Sequence, residues 1–417
     1  MLGHQLPLIT ALPFVALLLV IALAPLVAPH WWHHNRNKAL VALVVSAPIL
    51  VYLGINAPDL LHEKFLEYVG FIVVIGALFV ITGGIHIQGS LSGTPLVNTS
   101  MLGIGAVLAN LLGTTGASVL LIRPLLRANK RRKRVAHIVI FFIFIVANCG
   151  GLLTPLGDPP LLLGFLKGVP FDWTLRLWPQ WLMMNGVLLV VFSLWDRWAL
   201  SKEQREEVLV HEPLRITGGV EILVLLGIIV SILFEAGELV IVLLALIGYF
   251  AGSRERRAKN VFTFAPIIEV AVLFAAIFVT MTPVLEMLNA WAQRPEFALS
   301  KPWHFFWASG TLSSVLDNAP TYLAFAASAA GLQGVPPHGA YIGALALDPV
   351  AAKLLAAIST GSVFMGANTY IGNAPNFMVK AIAEESGVKM PSFFGYMAYS
   401  VGILLPIFVL VSLVFFR

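Results

Sequence analysis

Residues 150–160 read GGLLTPLGDPP and residues 366–376 read GANTYIGNAPN, and each string lies inside a long apolar run. Thr154 and Thr369, Gly157 and Gly372, Asp158 and Asn373, and Pro160 and Pro375 fall in step at an offset of 215 residues. A proline removes a backbone donor and cannot continue a helix, so each run breaks at its motif. Upstream of each break lies another apolar segment interrupted in its middle, by GTTGAS at 113–118 and by LDNAPT at 316–321. Around these features the order in both halves is the same: three spans, an interrupted hairpin, a broken helix and one more span. The half-boundary falls between residues 205 and 206. Five crossings per half is an odd number, so the second half is inverted relative to the first, which is the inverted-repeat plan of secondary transporters.

The solvent that makes such breaks meaningful follows from composition. Of the 417 residues, 59% are hydrophobic and 11% charged, with a mean hydropathy of +0.89, against roughly 25% charged in soluble domains. That excludes a water-soluble globule, a disordered chain and a collagen or coiled-coil rod. An all-α polytopic membrane protein is expected. Its ten spans fall at about 6–28, 39–56, 69–88, 135–168, 177–196, 219–235, 238–252, 262–286, 350–386 and 392–416. Two hairpins, at about 95–127 and 303–330, enter and leave on one side. The first span lacks the positive leader of a cleaved signal and reads as a retained helix. With both termini outside, 17 of the 26 Lys and Arg fall on cytoplasmic loops, Arg205 among them, 7 fall outside, and Arg123 and Arg127 lie in the first hairpin. The bias supports a multi-pass protein of a bacterial-type inner membrane. The run Lys130, Arg131, Arg132, Lys133, Arg134 reads as an orientation signal, not a nucleic-acid patch.

At membrane depth a gap in a helix bares carbonyls that can hold a cation and amides that carry partial positive charge. Asp158, Asn373 and Asp317 each fit the start of a helix with an early proline, so a capping role explains their type. A carboxylate at mid-membrane, however, costs at least about 2.5 kcal/mol, and a neutral cap avoids that cost. Asp158 and Asp317 therefore read as an ion or proton site, with hydroxyls of Thr114, Thr115, Thr321 and Thr369 as hard-cation donors. Glu269 is either a further proton carrier or the partner of a cation near the cytoplasmic interface. Arg123 either complements Asp158 or an anion, or snorkels to the cytoplasmic surface. His30, His33 and His34 beside Trp31 and Trp32 read as interfacial anchors. Gly83 and Gly84 read as close helix contacts. Cys149 is the single cysteine, which excludes a disulfide framework or cysteine metal site. With no His pair, Ser/His arrangement or Cys cluster at a useful depth, an enzyme is not expected.

Together these motifs resemble the ion transporter superfamily, which contains arsenite permeases, D-type sodium/proton antiporters and sodium-coupled citrate and dicarboxylate symporters. The resemblance covers nearly the whole chain and is nearest to bacterial sodium/proton antiporter and citrate-transporter proteins. It implies sodium-type sites at the hairpin tips against the broken helices, a substrate between them, elevator-like motion and a homodimer. By position, Thr114, Thr115 and Gly116 match the first tip, and Thr154, Gly157 and Asp158 the first break. Asp317, Asn318 and Thr321 match the second tip, and Asn368, Thr369, Gly372 and Asn373 the second break. The dicarboxylate symporters carry a Ser-Asn-Thr triplet at both tips, and neither GTTGA nor LDNAP supplies it. That departure disfavours a carboxylate substrate and favours exchange of sodium for protons, since Asp titrates and Asn does not. The expected ligands are sodium, protons and lipid, with a small anion as the alternative, and no organic cofactor or transition metal.

Overall fold

A computed structural model describes residues 6–202 and 212–417. Arg205 and the 205/206 half-boundary lie outside the described residues. Among the described residues seven helices are long and apolar enough to cross a membrane: Leu8–Val27, Asn35–Asn56, Pro58–Thr82, Pro95–Ala128, Phe171–Ser201, Ala265–Ala292 and Phe393–Phe415. An eighth crossing results if the pair Tyr341–Leu347 and Ala351–Asn368, bent by 115°, counts as one span. The expected ten differ for a physical reason. Gly219–Leu233 and Glu238–Ala251 have 15 and 14 residues, about 21–22 Å of rise against a hydrocarbon core of about 30 Å. The two broken spans, moreover, are assembled from pieces, each too short alone.

Pro95–Ala128 runs as 34 helical residues with one interruption, Gly113 at φ 74° and ψ 156°. A straight helix would set Asn98 and Asn129 about 46 Å apart. Instead their side-chain amides exchange two hydrogen bonds, at 3.0 and 2.8 Å. The chain therefore reverses at Gly113, and the segment is a hairpin with both ends on one side. The second hairpin has arms Pro302–Ser313 and Asn318–Leu332. Phe305, early in one arm, lies 6.4 Å from Phe325 in the other, edge to face.

Gly113 holds a backbone geometry essentially reserved for glycine. Gly113→Ala should cost about 1–3 kcal/mol through strain, read as a lowered melting temperature in detergent. Gly186→Ala, in a regular helix where an added methyl meets nothing within 4 Å, should be neutral or slightly stabilising. Equal melting temperatures for the two variants would contradict the tight reversal.

The broken helices occupy the centre. Ala136–Ile145 is buried along its length from His137, followed by the short turn Cys149–Leu152 and then by Pro159–Leu166. Ala351–Met365, Gly366–Asn368 and Ala374–Glu385 repeat this arrangement. The outer helices turn large apolar side chains outward, Leu12, Leu19, Leu43 and Val51 among them. Non-helical backbone is thus covered by protein and lipid contact is left to intact helices, as hydrogen bonding at membrane depth requires.

Two expectations need correction. The span at 69–88 is a helix from Pro58 to Thr82 that stops at Gly83, and residues His86–Ser90 form a strand paired antiparallel with Glu212–Thr217. The fold is therefore all-α apart from this ribbon. Gly83 and Gly84 shape the turn between helix and strand, whose carbonyls are held by other residues. Asn260 Nδ2 donates to Gly83 and Ile85, and Arg256 Nε donates to Gly84.

Candidate ion site

Both hairpin tips and both helix breaks converge on one carboxylate. Asp158, at the N-terminal cap of Pro159–Leu166, is only 2% exposed. Its Oδ1 accepts from Thr114 Oγ1 at 2.7 Å and from Asn373 Nδ2 at 3.2 Å. Its Oδ2 accepts from Asn318 Nδ2. Thr114 belongs to the first tip, Asn318 to the second, and Asn373 to the second break. No lysine or arginine pairs with Asp158 among the described residues. A carboxylate offers about four lone-pair directions; three are engaged, and one on Oδ2 remains. Beside it, Asn318 Oδ1 is buried with no hydrogen-bond partner. Free oxygen acceptors on two neighbouring residues, at a buried carboxylate without a cationic partner, are of the ligand type that a hard cation takes.

Local structure explains how these groups are held. The amide of Thr114, first residue of the returning arm, donates to the Gly157 carbonyl at 2.8 Å. A methyl on Gly157 would collide with the Gly151 carbonyl, so only glycine lets the two sides of the first break approach. Thr154 Oγ1 donates to the Asn110 carbonyl at the end of the first hairpin's entering arm. In the second half Thr369 Oγ1 donates to the Ser314 carbonyl at 2.5 Å, and Asn368 Nδ2 to Ser314 Oγ at 2.8 Å. Gly372 packs against Ser313 and Ser314 carbonyls. Thr154, Gly157, Asn368, Thr369 and Gly372 thus tie each break to its own hairpin. Asp317 Oδ1 caps its helix at Ala319 N, 3.0 Å away, and Thr321 Oγ1 donates to the Asp317 carbonyl at 2.9 Å.

Thr115 and Gly116 line, with Thr114, Gly157 and Asp158, a cavity of about 80 Å³ to which Leu78, Phe79 and Ile267 also contribute. Glu269 stands apart from this cluster, its carboxylate 2.6 Å from Lys38 Nζ. Arg123 lies nine residues beyond Thr114, about 13 Å along the returning arm, and lines a separate cavity at the basic end.

Several residues that matter were not singled out from sequence. Asn148 Nδ2 donates to Asn376 Oδ1 at 2.7 Å, its Oδ1 accepts from Asn373 at 3.2 Å, and Asn376 Nδ2 donates to the carbonyls of Gly366 and Thr369. Carbonyls bared by the breaks are covered in the same way twice. Trp181 Nε1 and Asn185 Nδ2 reach Gly150 and Cys149, and Tyr396 Oη and Ser400 Oγ reach Ala367 and Asn368. Positions 181 and 185 precede 396 and 400 by the same 215 residues that separate the breaks. That offset was the available signal.

A family model described as "putative citrate transport" matches residues 3–416. The chain belongs to that family. No curated protein matches the chain. Family membership and a helical fold with several membrane-length helices make this a multi-pass membrane transporter of the secondary type. The citrate-transporter-like resemblance read from the break and tip motifs is borne out at this level.

Proposed function

We propose that this transporter exchanges sodium for protons by alternating access, with Asp158 as the carboxylate for which the two cations compete. The observation that carries the reading is the position of Asp158: one buried carboxylate, without a cationic partner, bonded to the first hairpin tip, the second tip and the second break. A group held by every segment that an alternating-access cycle would move can report its occupancy to all of them. The ten-crossing topology with two inverted halves belongs to the same reading. It is supported by the matched strapping of the breaks and by the contact at 3.2 Å between Asp158 and its aligned counterpart Asn373. Oxygen ligands come from Asp158, Asn318 and the threonine hydroxyls of the tip, and the adjoining space of about 80 Å³ is well below the roughly 300 Å³ at which small-molecule pockets begin.

A second reading, sodium-coupled symport of citrate or another small anion, is favoured by the family description. Helix N-termini at Pro159, Asn318 and Ala374 meet near Asp158 and would supply the positive potential an anion needs. Reconstitution in liposomes separates the two. An outward or inward sodium gradient should move protons with no organic anion present, and added citrate should leave that flux unchanged. Proton flux that appears only with citrate, together with sodium-dependent citrate uptake, would transfer the assignment to the symporter.

Orientation is tested independently. Cys149 is fully buried and silent to an impermeant thiol reagent, whereas Lys130 is exposed. Lys130→Cys should label in inside-out vesicles and stay protected in right-side-out ones. Labelling from the outer face would reverse the topology and place both termini inside.

A further inference from the structure

The half-helix that begins at Asp158 ends at a buried lysine. Lys167, directly after Pro159–Leu166, is 2% exposed, and its Nζ lies 2.7 Å from Oε1 of Glu67 on Pro58–Thr82. One turn on, Leu166 Cδ2 lies 3.7 Å from where a Gly70 Cβ would stand. Further along, Leu162 shares with Ile75 and Leu78 the walls of the small cavity beside Asp158. From Glu67 to Leu78 the partners thus run from Lys167 back to Asp158, so the two helices pack antiparallel. Lys167 and His137, which faces the basic loop, stand at opposite ends of the first broken helix.

Glu67 does not depend on Lys167 alone. Its Oε1 is also 2.9 Å from Nζ of Lys64, one turn earlier on the same helix, and Lys64 is in turn 3.2 Å from Glu63 Oε1. Glu63 accepts from the Gly339 amide at 2.9 Å. Gly339 lies just ahead of Tyr341–Leu347, a helix whose Gly343 amide donates to the Lys167 carbonyl at 2.9 Å. Pro58–Thr82 therefore holds the half-helix and its neighbour through two carboxylates. Parting a buried ion pair ordinarily strands a charge on each side. Here Glu63, Lys64 and Glu67 stay mutually compensated on one helix, and only Lys167 is left for water to meet. Its Nζ makes no aligned hydrogen bond, so the contact is held by charge, unlike the directional straps at the breaks.

We propose that the Glu67–Lys167 pair is a gate between Asp158 and the side away from the basic loops, closed in this structure and opened when the half-helix parts from Pro58–Thr82. Lys167 acts as a positioning residue, holding in place the helix that carries Asp158. The proposal rests on the alternating-access reading, in which Asp158 must exchange its cation with each side in turn.

The test uses the full-length protein in vesicles of both orientations and an impermeant thiol reagent. Leu162→Cys puts a reporter in the buried interface, and Cys149, fully buried, is the internal control. With an open state populated to a few per cent or less, adding Lys167→Met should speed labelling of the reporter about tenfold. The rise should come only from the side on which Lys130→Cys is protected, while Cys149 stays silent. An unchanged rate, a rise from the opposite side, or labelling of Cys149 as well would each overturn the gate, the last because it reports general loosening. A second measurement leaves the ion pair intact. Gly70→Cys/Leu166→Cys, bridged by a short bifunctional methanethiosulfonate, fixes the half-helix to Pro58–Thr82. The bridge should stop whichever flux the unaltered protein shows, sodium-driven proton movement or citrate uptake, and a thiol reductant should restore it. Undiminished flux through the bridged protein would overturn the gate, whereas the identity of the flux bears only on the transport reading.

Discussion

Asp158→Asn is expected to abolish sodium-driven proton movement, to below a hundredth of the unaltered rate, while the protein still folds and melts within a few degrees of normal. The geometry explains both halves of that result. Thr114 and Asn373 can keep donating to the new amide oxygen, and the new amide nitrogen would face Asn318 Nδ2, donor against donor. A half-turn of the Asn318 amide resolves the clash, because its Oδ1 has no partner to lose and amide orientation is set by the hydrogen-bond network. What disappears is the charge, and with it the proposed site of sodium–proton competition. In the unaltered protein sodium needs the ionised carboxylate, so sodium affinity should fall as pH is lowered through its titration; in the variant no such dependence should remain. Asp317→Asn makes the informative contrast. Its carboxylate accepts one backbone N–H at a helix cap, which an asparagine also does, so most of the exchange should survive. Normal exchange with a normal pH profile in Asp158→Asn, measured in the same liposomes, would remove Asp158 from the mechanism.

The two broken helices and two hairpins are legible because proline, glycine and isolated polar residues interrupt long apolar runs, and lipid tolerates few such interruptions. The points of reversal follow for the same reason, Gly113 in one hairpin and Leu316–Asp317 in the other. Convergence on a single residue is not legible. Asp158 meets partners 44, 160 and 215 positions away, and nothing local says that Asn318 and Asn373 of the second half turn toward the carboxylate of the first. One cation site per half was the natural expectation from an aspartate in each. The ribbon at His86–Ser90 escaped because its partner strand lies more than a hundred residues away, and GGIHIQ alone continues an apolar run. Glu221, not singled out from sequence, is 1% exposed and clamps Arg256 through both oxygens at 2.6 and 2.7 Å. In each case the missing information is tertiary: the identity of the partner that makes burial affordable.

Asp196 shows the energetic side of that point, and its removal should produce the largest loss of stability of any single substitution at the basic end. It lies in the string WDRW near the end of Trp178–Ser201 and was not singled out from sequence. In the structure it is fully buried. Its Oδ1 takes Arg132 Nη1 at 2.7 Å and His137 Nε2 at 2.8 Å, and Oδ2 takes Asn98 Nδ2 at 2.9 Å. Through Asn98 and Asn129 it also fixes the two ends of the first hairpin. Asp196→Ala leaves the Arg132 guanidinium buried with no counter-charge, a defect that costs about 3–5 kcal/mol when one member of a buried pair is deleted. Removing both charges is a different experiment, since apolar replacement of a whole buried pair is often neutral or better. Asp196→Leu/Arg132→Met should therefore recover most of what Asp196→Ala loses, and the coupling should appear as non-additivity in a double-mutant cycle of unfolding free energies in mixed micelles. An Asp196→Ala protein as stable as the unaltered one would mean that water or another group takes over the Arg132 charge, and the buried pair would then carry no stability.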